Sequence, residues 1–300
     1  MRSNAGIRVI DAIGHVGAWA GAYCAGASAC FVQLAGLGDA PDAPLLLSVF
    51  LASTGAYALD RVKLRDSWID PADIEAQPER YAFLRAHSRL VRLAALLAIA
   101  AAGVIGLTIS AWAPLASAMA AVGVVAYAPR PKKHRSRVKD VPWLKNLYVA
   151  AGISVFAALA GLAAHIRHED RSIVGLFTAL AAPGVIATLT LLMARVLVDA
   201  ALCDLDDEAS DARHGTRTFV TLLGPRRLWM LSGLIRLGLI GLTLAAWPCP
   251  WRARLVWGGA MVAGTLAVRV RRPRELRDVV DVRFAAEAVL ATLALRWLAG

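Results

Sequence analysis

Long apolar runs separated by short charged segments dominate the pattern along this chain. Nine of these runs predict helices, most of them near the roughly 20 residues that a transmembrane helix needs. They fall at residues 14–37, 43–59, 90–109, 111–128, 146–166, 172–198, 228–247, 253–269 and 281–298. We therefore expect an all-α polytopic membrane protein, with about nine transmembrane helices in one bundle around a central apolar chamber. We expect residues 1–300 to form a single domain.

The composition supports a membrane protein and excludes an ordinary soluble domain. Hydrophobic residues make up 58% of the 300 positions, charged residues only 18%, and the mean hydropathy is +0.56. A soluble domain carries about 25% charged residues. The four cysteines are scattered, with neither the spacing of a zinc site nor that of a disulfide framework.

The positive charge predicts how the chain is oriented in the membrane. If the N-terminus is cytoplasmic, the inner segments contain 26 Lys and Arg residues and the outer segments only four. This distribution follows the positive-inside rule in every alternate loop. We therefore expect an integral protein of the cell or inner membrane, with its N-terminus and its acidic segment cytoplasmic. The formal net charge of +11 has this topological explanation, and no basic face for nucleic acid is indicated.

The densest negative charge, DAALCDLDDEASDARHGTRTF, follows the sixth apolar run. If the sixth helix continues through it, Asp204, Asp207 and Asp211 recur at i, i+3 and i+7 and share one face. Carboxylates repel one another there, and the dipole of a helix C-terminus disfavours them. A divalent cation would remove both costs, and Mg²⁺ commonly uses one or two carboxylates together with substrate phosphates. The alternative interpretation is a solvated helix end.

Two of the arginines within predicted spans raise the question of how their charge is accommodated. Arg195 precedes Asp199 by one helical turn, which places it to form an ion pair with that carboxylate. Arg236 falls inside the seventh predicted span, where a charge near mid-bilayer costs about 2.5–3.5 kcal/mol. Arg236 is therefore either paired inside the bundle or closer to an interface than the pattern suggests.

The acidic segment resembles the second aspartate-rich motif of the UbiA-type intramembrane prenyltransferases, D-x-x-D-x-x-x-D followed by a basic stretch, Gly and Thr. The three acidic positions are Asp204, Asp207 and Asp211, and the later positions match Gly215, Thr218 and Gly224. A second match, AYAPRPKKHRSRVKDVPWLKNLYVA, includes Tyr127, Lys139, Pro142, Lys145 and Asn146. A third, YALDRVKLRD, is similar to the family's first motif at Tyr57, Asp60 and Arg61.

The first motif departs from the family pattern. Leu64 and Trp68 stand where the family has aspartate, four and eight residues after Asp60. Asp66 lies nearby, out of register, and is a candidate replacement. We therefore expect the first half of a metal site to be altered.

The resemblance implies a Mg²⁺-dependent prenyltransferase whose partners are a prenyl diphosphate, a lipophilic and often aromatic acceptor, and the lipid bilayer. It assigns catalysis to Asp60, Asp207 and Asp211. It assigns Mg²⁺ to Asp60, Asp204, Asp207 and Asp211, with Asp66 as a replacement. It implies diphosphate binding by Arg61, Lys139, Lys145 and Arg213, and chamber-lining roles for Tyr57 and Tyr127.

Three other functions remain open from the sequence. The first is a protein of the same fold with altered or lost activity that binds lipid, which Leu64 and Trp68 favour. The second is a CDP-alcohol phosphatidyltransferase, although Glu208 stands where that motif requires glycine and no second acidic pair follows Gly224. The third is a transporter, for which acidic residues near the membrane midplane would be expected.

Overall fold

Fifteen α-helices form the described part of the chain, which in this computed structural model comprises residues 9–38, 41–64, 68–69, 71–127, 144–169, 173–213, 217–270 and 276–299. No strand occurs among these residues. The helices are α1 Val9–His15, α2 Ala18–Leu34, α3 Ala43–Val62, α4 Pro71–Ala76, α5 Pro78–Ala86, α6 Ser88–Ile109, α7 Ala113–Tyr127, α8 Leu144–Glu169, α9 Ile173–Leu180, α10 Pro183–Cys203, α11 Glu208–Arg213, α12 Phe219–Leu223, α13 Pro225–Ala246, α14 Trp251–Val270 and α15 Leu276–Ala299.

The all-helical membrane class predicted from the sequence is confirmed. Each predicted span coincides with a long helix except the sixth, which divides into α9 and α10. The division falls before Pro183, because proline cannot donate the backbone hydrogen bond that a continuous helix would require. Five helices in the described residues, α3, α6, α8, α10 and α13, are long and apolar enough to cross a membrane. The count of nine membrane crossings stays a prediction.

Helix α2 is largely buried within the bundle. It packs against α3, α8, α10, α14 and α15, and thirteen of its seventeen residues are buried. Its small side chains allow this, since a Cβ atom added at Gly26 would lie only 2.7 Å from the carbonyl oxygen of Phe284 on α15. Small residues at helix contacts are typical of membrane bundles, where close packing replaces the hydrophobic effect between helices.

The outer face of the bundle is apolar. Large aliphatic side chains on α6 and α13, among them Leu90, Leu107, Leu234 and Leu237, are at least 60% exposed. In water this surface would be costly, whereas lipid tails solvate it without penalty. The exposed apolar faces thus agree with a membrane location.

The charges inside the bundle pair differently from our prediction. Arg195 forms its ion pair with Glu287 on α15, and not with Asp199 as the sequence spacing suggested. Asp199 instead accepts hydrogen bonds from Arg236 and Arg283. Helix packing therefore overrides the one-turn spacing, and of the two alternatives for Arg236 the structure shows the paired one.

Four short helices gather at one end of the bundle, which we call the acidic end. Helices α4 and α5 follow the end of α3, α11 and α12 follow the end of α10, and α11 packs on α4. The first turns of α8 and α15 reach the same place, because Lys145 and Arg277 contact the acidic residues that follow α10. This arrangement brings together charged side chains that are distant in the sequence.

Candidate functional site

The aspartate-rich segment does not form the continuous helix on which its spacing argument rested. Helix α10 ends at Cys203, residues 204–207 form a turn, and α11 begins at Glu208. The backbone N–H groups of residues 205, 206 and 207 each donate to the carbonyl three residues earlier, including Asp207 to Asp204 over 3.2 Å. Side chains three residues apart eclipse each other in this tighter winding. Asp204 and Asp207 therefore share a side although the helix has ended.

Asp204 is 3% exposed and receives two hydrogen bonds from the start of α8. Lys145 Nζ donates to Oδ1 over 2.7 Å, and Asn146 Nδ2 donates to Oδ2 over 2.8 Å. Lys145 and Asn146 belong to the second sequence match and Asp204 to the acidic motif. These two segments are thus in direct contact.

Asp207 and Asp206 both contact Arg277, the second residue of α15. Its Nη2 donates to Asp207 Oδ2 over 2.6 Å, and its backbone N–H donates to Asp206 Oδ2 over 3.2 Å. Gln77 Nε2 approaches Asp207 Oδ1 at 3.5 Å. Burial would raise the pKa of Asp207, but Arg277 and Lys145 outweigh it and lower that pKa. Burial raises the pKa of Asp206 to about 6.

The first motif lies at the end of α3. Asp60 forms an ion pair with Lys63, while Arg61 donates to the carbonyl oxygens of Gly14 over 2.6 Å and His15 over 3.0 Å. Lys63 has φ = 50°, a conformation that favours glycine, and it ends the helix. The chain therefore leaves α3 before Leu64, which is 59% exposed.

A third guanidinium lies close to Arg61 and Arg277. Arg80 is on α5, and its Nε is buried without an acceptor among the described residues. Burial and the positive charges of Arg61 and Arg277 lower the pKa of Arg80 to about 9. Arginine nevertheless keeps its proton in proteins. The three guanidiniums therefore repel one another, and a bound polyanion would relieve that repulsion.

The remaining predicted site residues are placed as follows. Asp66 and Lys139 lie outside the described residues. Asp211 lies on α11 and Tyr127 ends α7, but their side chains are outside the described part. Arg213 pairs with Glu75 at 2.5 Å on an exposed surface. Tyr57 is partly buried and packs against an apolar cluster between α2, α3 and α8.

The acidic end has carboxylate oxygens of the kind that Mg²⁺ prefers as ligands. Basic side chains already contact these carboxylates. Among the described side chains no three His, Cys, Asp or Glu residues converge as a ready ligand set. Asp204 and Asp207 could supply the one or two carboxylates that Mg²⁺ commonly takes, with phosphate oxygens completing its shell. Asp206 Oδ1 is buried with no hydrogen-bond partner in the described part of the chain. The donor set thus fits a metal that arrives with a phosphate ligand.

These observations define a class: a helical membrane bundle with a mixed carboxylate and guanidinium site at one end. The chain belongs to the UbiA prenyltransferase family, whose profile matches residues 24–293. Among solved structures, it resembles the apo structure of a UbiA homolog from Aeropyrum pernix K1, with a TM-score of 0.60 and 15% identity. That similarity covers 89% of this chain and 96% of the homolog and shows the shared fold. No curated protein matches the sequence.

Sequence reasoning missed Gln77, Arg80 and Arg277. Arg80 and Arg277 entered the sequence analysis only as positive charges of two different inner segments, in the prediction of membrane orientation. A signal existed for Arg277, since it is the last arginine before the ninth predicted span. Under the predicted topology, the start of the ninth span lies on the same side of the membrane as the acidic motifs.

Proposed function

We propose that this protein is a Mg²⁺-dependent intramembrane prenyltransferase that moves a prenyl group from a prenyl diphosphate to an apolar acceptor, aromatic or otherwise. The acidic end would bind the diphosphate on the cytoplasmic side of the membrane. Family membership supports prenyl transfer, and the arrangement of charges supports the diphosphate.

One observation carries the proposal: Asp204 and Asp207 lie on one side of a turn, and cations from two other helices contact them. Lys145 and Arg277 are within 2.7 Å of these carboxylates. A free cation site would not need such basic neighbours, and a purely anionic ligand would be repelled by the aspartates. Carboxylates and cations together suit a diphosphate that is bridged by a metal ion.

Each charged residue of the acidic end then has a specific role in breaking the C–O bond between the allylic carbon and the diphosphate. Lys145, Arg277, Arg80 and Arg61 would stabilise the negative charge that grows on the leaving oxygen. Bound Mg²⁺ would supply further charge stabilisation as a Lewis acid. Asp60, Asp204, Asp207 and Asp211 would hold the metal, as the family resemblance implies.

The apolar interior suits the second half of the reaction. Loss of diphosphate leaves an allylic cation, which forms a bond to the acceptor as the acceptor loses a proton. Water would capture this cation, so the chamber must exclude it. We assign Tyr57 and Tyr127 to the chamber wall, where their rings would present π-faces to a cation.

The test is a Mg²⁺-dependent assay of the purified chain in lipid nanodiscs, with labelled prenyl diphosphates of several lengths and a panel of aromatic acceptors. Diphosphate release and prenylated product are measured separately. Asp207→Asn removes one carboxylate of the proposed site, and Glu208→Gln is its matched control on the adjacent residue. We expect Asp207→Asn to lower kcat/KM by about 100-fold or more, as loss of a transition-state charge contact does, and Glu208→Gln to retain activity.

The outcomes separate the proposals. Diphosphate binding without release of diphosphate from any substrate would indicate a lipid-binding member of the family and would contradict the catalytic assignment. Equal activity of Asp207→Asn and Glu208→Gln would show that the reaction does not use this turn. Activity that persists in EDTA would remove Mg²⁺ from the proposal.

A further inference from the structure

A second cluster of charges lies inside the bundle, separate from the acidic end. It comprises Arg195 and Asp199 on α10, Arg236 on α13, and Arg283 and Glu287 on α15. Each of these residues is at most 6% exposed. Asp199 precedes Asp204 by five residues, which is about 7.5 Å along a helix axis. The cluster therefore lies deeper in the bundle than the proposed diphosphate site.

The contacts within the cluster leave one positive charge unmatched. Asp199 accepts hydrogen bonds from Arg236, Arg283 and the hydroxyl of Tyr23, the last at 2.7 Å. Glu287 pairs with Arg195 and lies 3.4 Å from Arg283. Three guanidiniums thus meet two carboxylates. An uncompensated charge is costly in an apolar interior.

The neighbouring carboxylate on α15 does not supply the missing negative charge. Asp281 has its strongest charge interactions with Arg61 and Arg277, which belong to the acidic end. The tyrosine in the cluster is a hydrogen-bond donor to Asp199 and adds no negative charge. The unmatched charge therefore belongs to the inner cluster.

Two donors in the cluster have no acceptor. The Nε atoms of Arg236 and Arg283 are buried and lack a hydrogen-bond partner among the described residues. Both side chains line a cavity whose wall is completed by Arg195, Asp199, Leu239, Met261 and Thr265. The space inside holds one water molecule or a single small ion. It is too small for the carboxylate group of a larger molecule.

Glu287 Oε1, the oxygen 3.4 Å from Arg283, also accepts no hydrogen bond among the described residues, but Glu287 does not line this cavity. Its Oε1 lies against α14 at Gly264, where an added Cβ would be 1.8 Å away. Only glycine at this position lets the carboxylate approach α14 so closely. The wall of the cavity consequently presents three guanidiniums and one carboxylate.

We propose that this cavity binds a small inorganic monoanion of about chloride size, hydrogen-bonded to the Nε–H groups of Arg236 and Arg283. One such anion would satisfy both donors and would neutralise the cluster. A water molecule could accept from the donors but would leave the charge unmatched. The anion would stabilise the junction of α10, α13 and α15, and this role does not depend on prenyl transfer.

The test compares the thermal unfolding of the purified full chain in potassium chloride, potassium bromide and potassium gluconate at equal ionic strength. Gluconate is a monoanion too large for the cavity. We expect the Tm to rise with chloride or bromide concentration and then to saturate, as a ligand of the folded state requires. Gluconate should have no such effect.

Two variants with equal loss of charge sharpen the comparison. Arg236→Gln makes the cluster neutral and removes one donor, so the apparent Kd for chloride should rise by about tenfold or more. Arg252→Gln removes an exposed charge at the start of α14 and should leave the chloride response unchanged. Anomalous diffraction from crystals of the unaltered protein grown in bromide should show a peak in the cavity, whether or not Arg236→Gln folds.

The proposal is overturned if the Tm is the same in chloride and gluconate and no bromide peak appears in the cavity. An equal chloride response in Arg236→Gln and in the unaltered protein would also overturn it. A bromide peak at a surface site only would show adventitious binding and would contradict the proposal as well.

Discussion

The guanidinium of Arg277 donates a 2.6 Å hydrogen bond to Oδ2 of Asp207, and this contact joins the start of α15 to the turn that follows α10. The same Nη2 lies 3.3 Å from the carbonyl oxygen of Cys203, the last residue of α10. One arginine thus holds both the end of the helix and the aspartate after it. Arg277 thereby occupies a carboxylate oxygen that a metal ion bound to Asp207 would need.

Replacing Arg277 should lower the Mg²⁺ concentration that the enzyme requires and raise its KM for prenyl diphosphate. Arg277→Gln removes the cation that competes with Mg²⁺ for Asp207, so the half-saturating Mg²⁺ concentration should fall severalfold. It also removes a charge that would bind diphosphate, so the KM for prenyl diphosphate should rise by about tenfold. Steady-state titration of both ligands measures the two effects. Arg277→Lys is the control that keeps the charge, and an unaltered Mg²⁺ dependence in Arg277→Gln would contradict the competition.

The ion pair between buried Asp204 and partly exposed Lys145 predicts a stability effect that Mg²⁺ reverses. Among the described residues, Lys145→Gln leaves Asp204 with only the hydrogen bond from Asn146, and we expect the free energy of unfolding to fall by about 1–3 kcal/mol. Mg²⁺ with a non-hydrolysable prenyl diphosphate analogue should restore part of the loss by replacing the missing positive charge. Thermal unfolding in EDTA and in Mg²⁺ measures both.

A double variant provides the control for this pair. Lys145→Gln combined with Asp204→Asn removes both charges, so it should be more stable than Lys145→Gln alone in EDTA. Its response to Mg²⁺ should be smaller than that of Lys145→Gln, because one of the proposed metal-binding carboxylates is gone. If the single and double variants unfold at the same temperature, the ion pair does not determine the stability of this turn.

Arg80 should lower the stability of the ligand-free protein while it strengthens diphosphate binding. It lies close to two other guanidiniums, and its Nε has no acceptor in the described part of the chain. Arg80→Gln should therefore raise the Tm of the ligand-free protein while it weakens diphosphate binding by about tenfold. Isothermal titration with a diphosphate analogue measures the binding. Arg85→Gln, on the same helix, is the control, and a lower Tm for Arg80→Gln would contradict the repulsion.

The sequence predicted the elements of this fold better than their contacts. Hydropathy placed the apolar helices, and the spacing of Asp204 and Asp207 identified residues that do lie on one side. The reason was partly wrong, because the helix ends at Cys203 and a tighter turn aligns them. Periodicity shows which face a residue occupies while the helix continues, but it does not show where packing ends the helix.

The partners were harder to predict because they are remote in the sequence. Asp207 contacts Gln77 and Arg277, which are 130 and 70 residues away. Arg195 was assigned to the carboxylate one turn away, and the structure pairs it with Glu287, 92 residues away. Local spacing favours the near partner, whereas inside an apolar bundle the geometry of helix packing decides which charges meet.

The family resemblance implies that Arg213 binds diphosphate, whereas the structure pairs Arg213 with Glu75 on an exposed surface. Variants of the two residues test that role. Surface ion pairs contribute about 0–1 kcal/mol, so both Arg213→Gln and Glu75→Gln should fold normally. If Arg213 binds diphosphate, Arg213→Gln raises the KM for prenyl diphosphate severalfold, and Glu75→Gln, which frees the guanidinium, does not. Equal KM values in the two variants would show that Arg213 does not bind diphosphate. Its role would then be the ion pair that joins α11 to α4.

Leu64 allows a test of whether the altered first motif can be repaired by one substitution. In a continuous helix a residue four positions after Asp60 would lie above it, and an aspartate there could share a metal ion. The chain instead leaves α3 after Val62, with Lys63 at φ = 50°, and Leu64 is 59% exposed. We therefore expect Leu64→Asp to change the half-saturating Mg²⁺ concentration by less than about twofold, since an exposed charge contributes little.

The comparison variant for Leu64→Asp is Leu64→Asn, which has the same size and no charge. Equal Mg²⁺ titrations of the two variants would support the geometry at the end of α3. A Mg²⁺ requirement that falls by tenfold only in Leu64→Asp would show that residue 64 reaches the metal after all. In that case α3 must continue by at least one more turn when substrate is bound, because only a helical backbone would align residues 60 and 64.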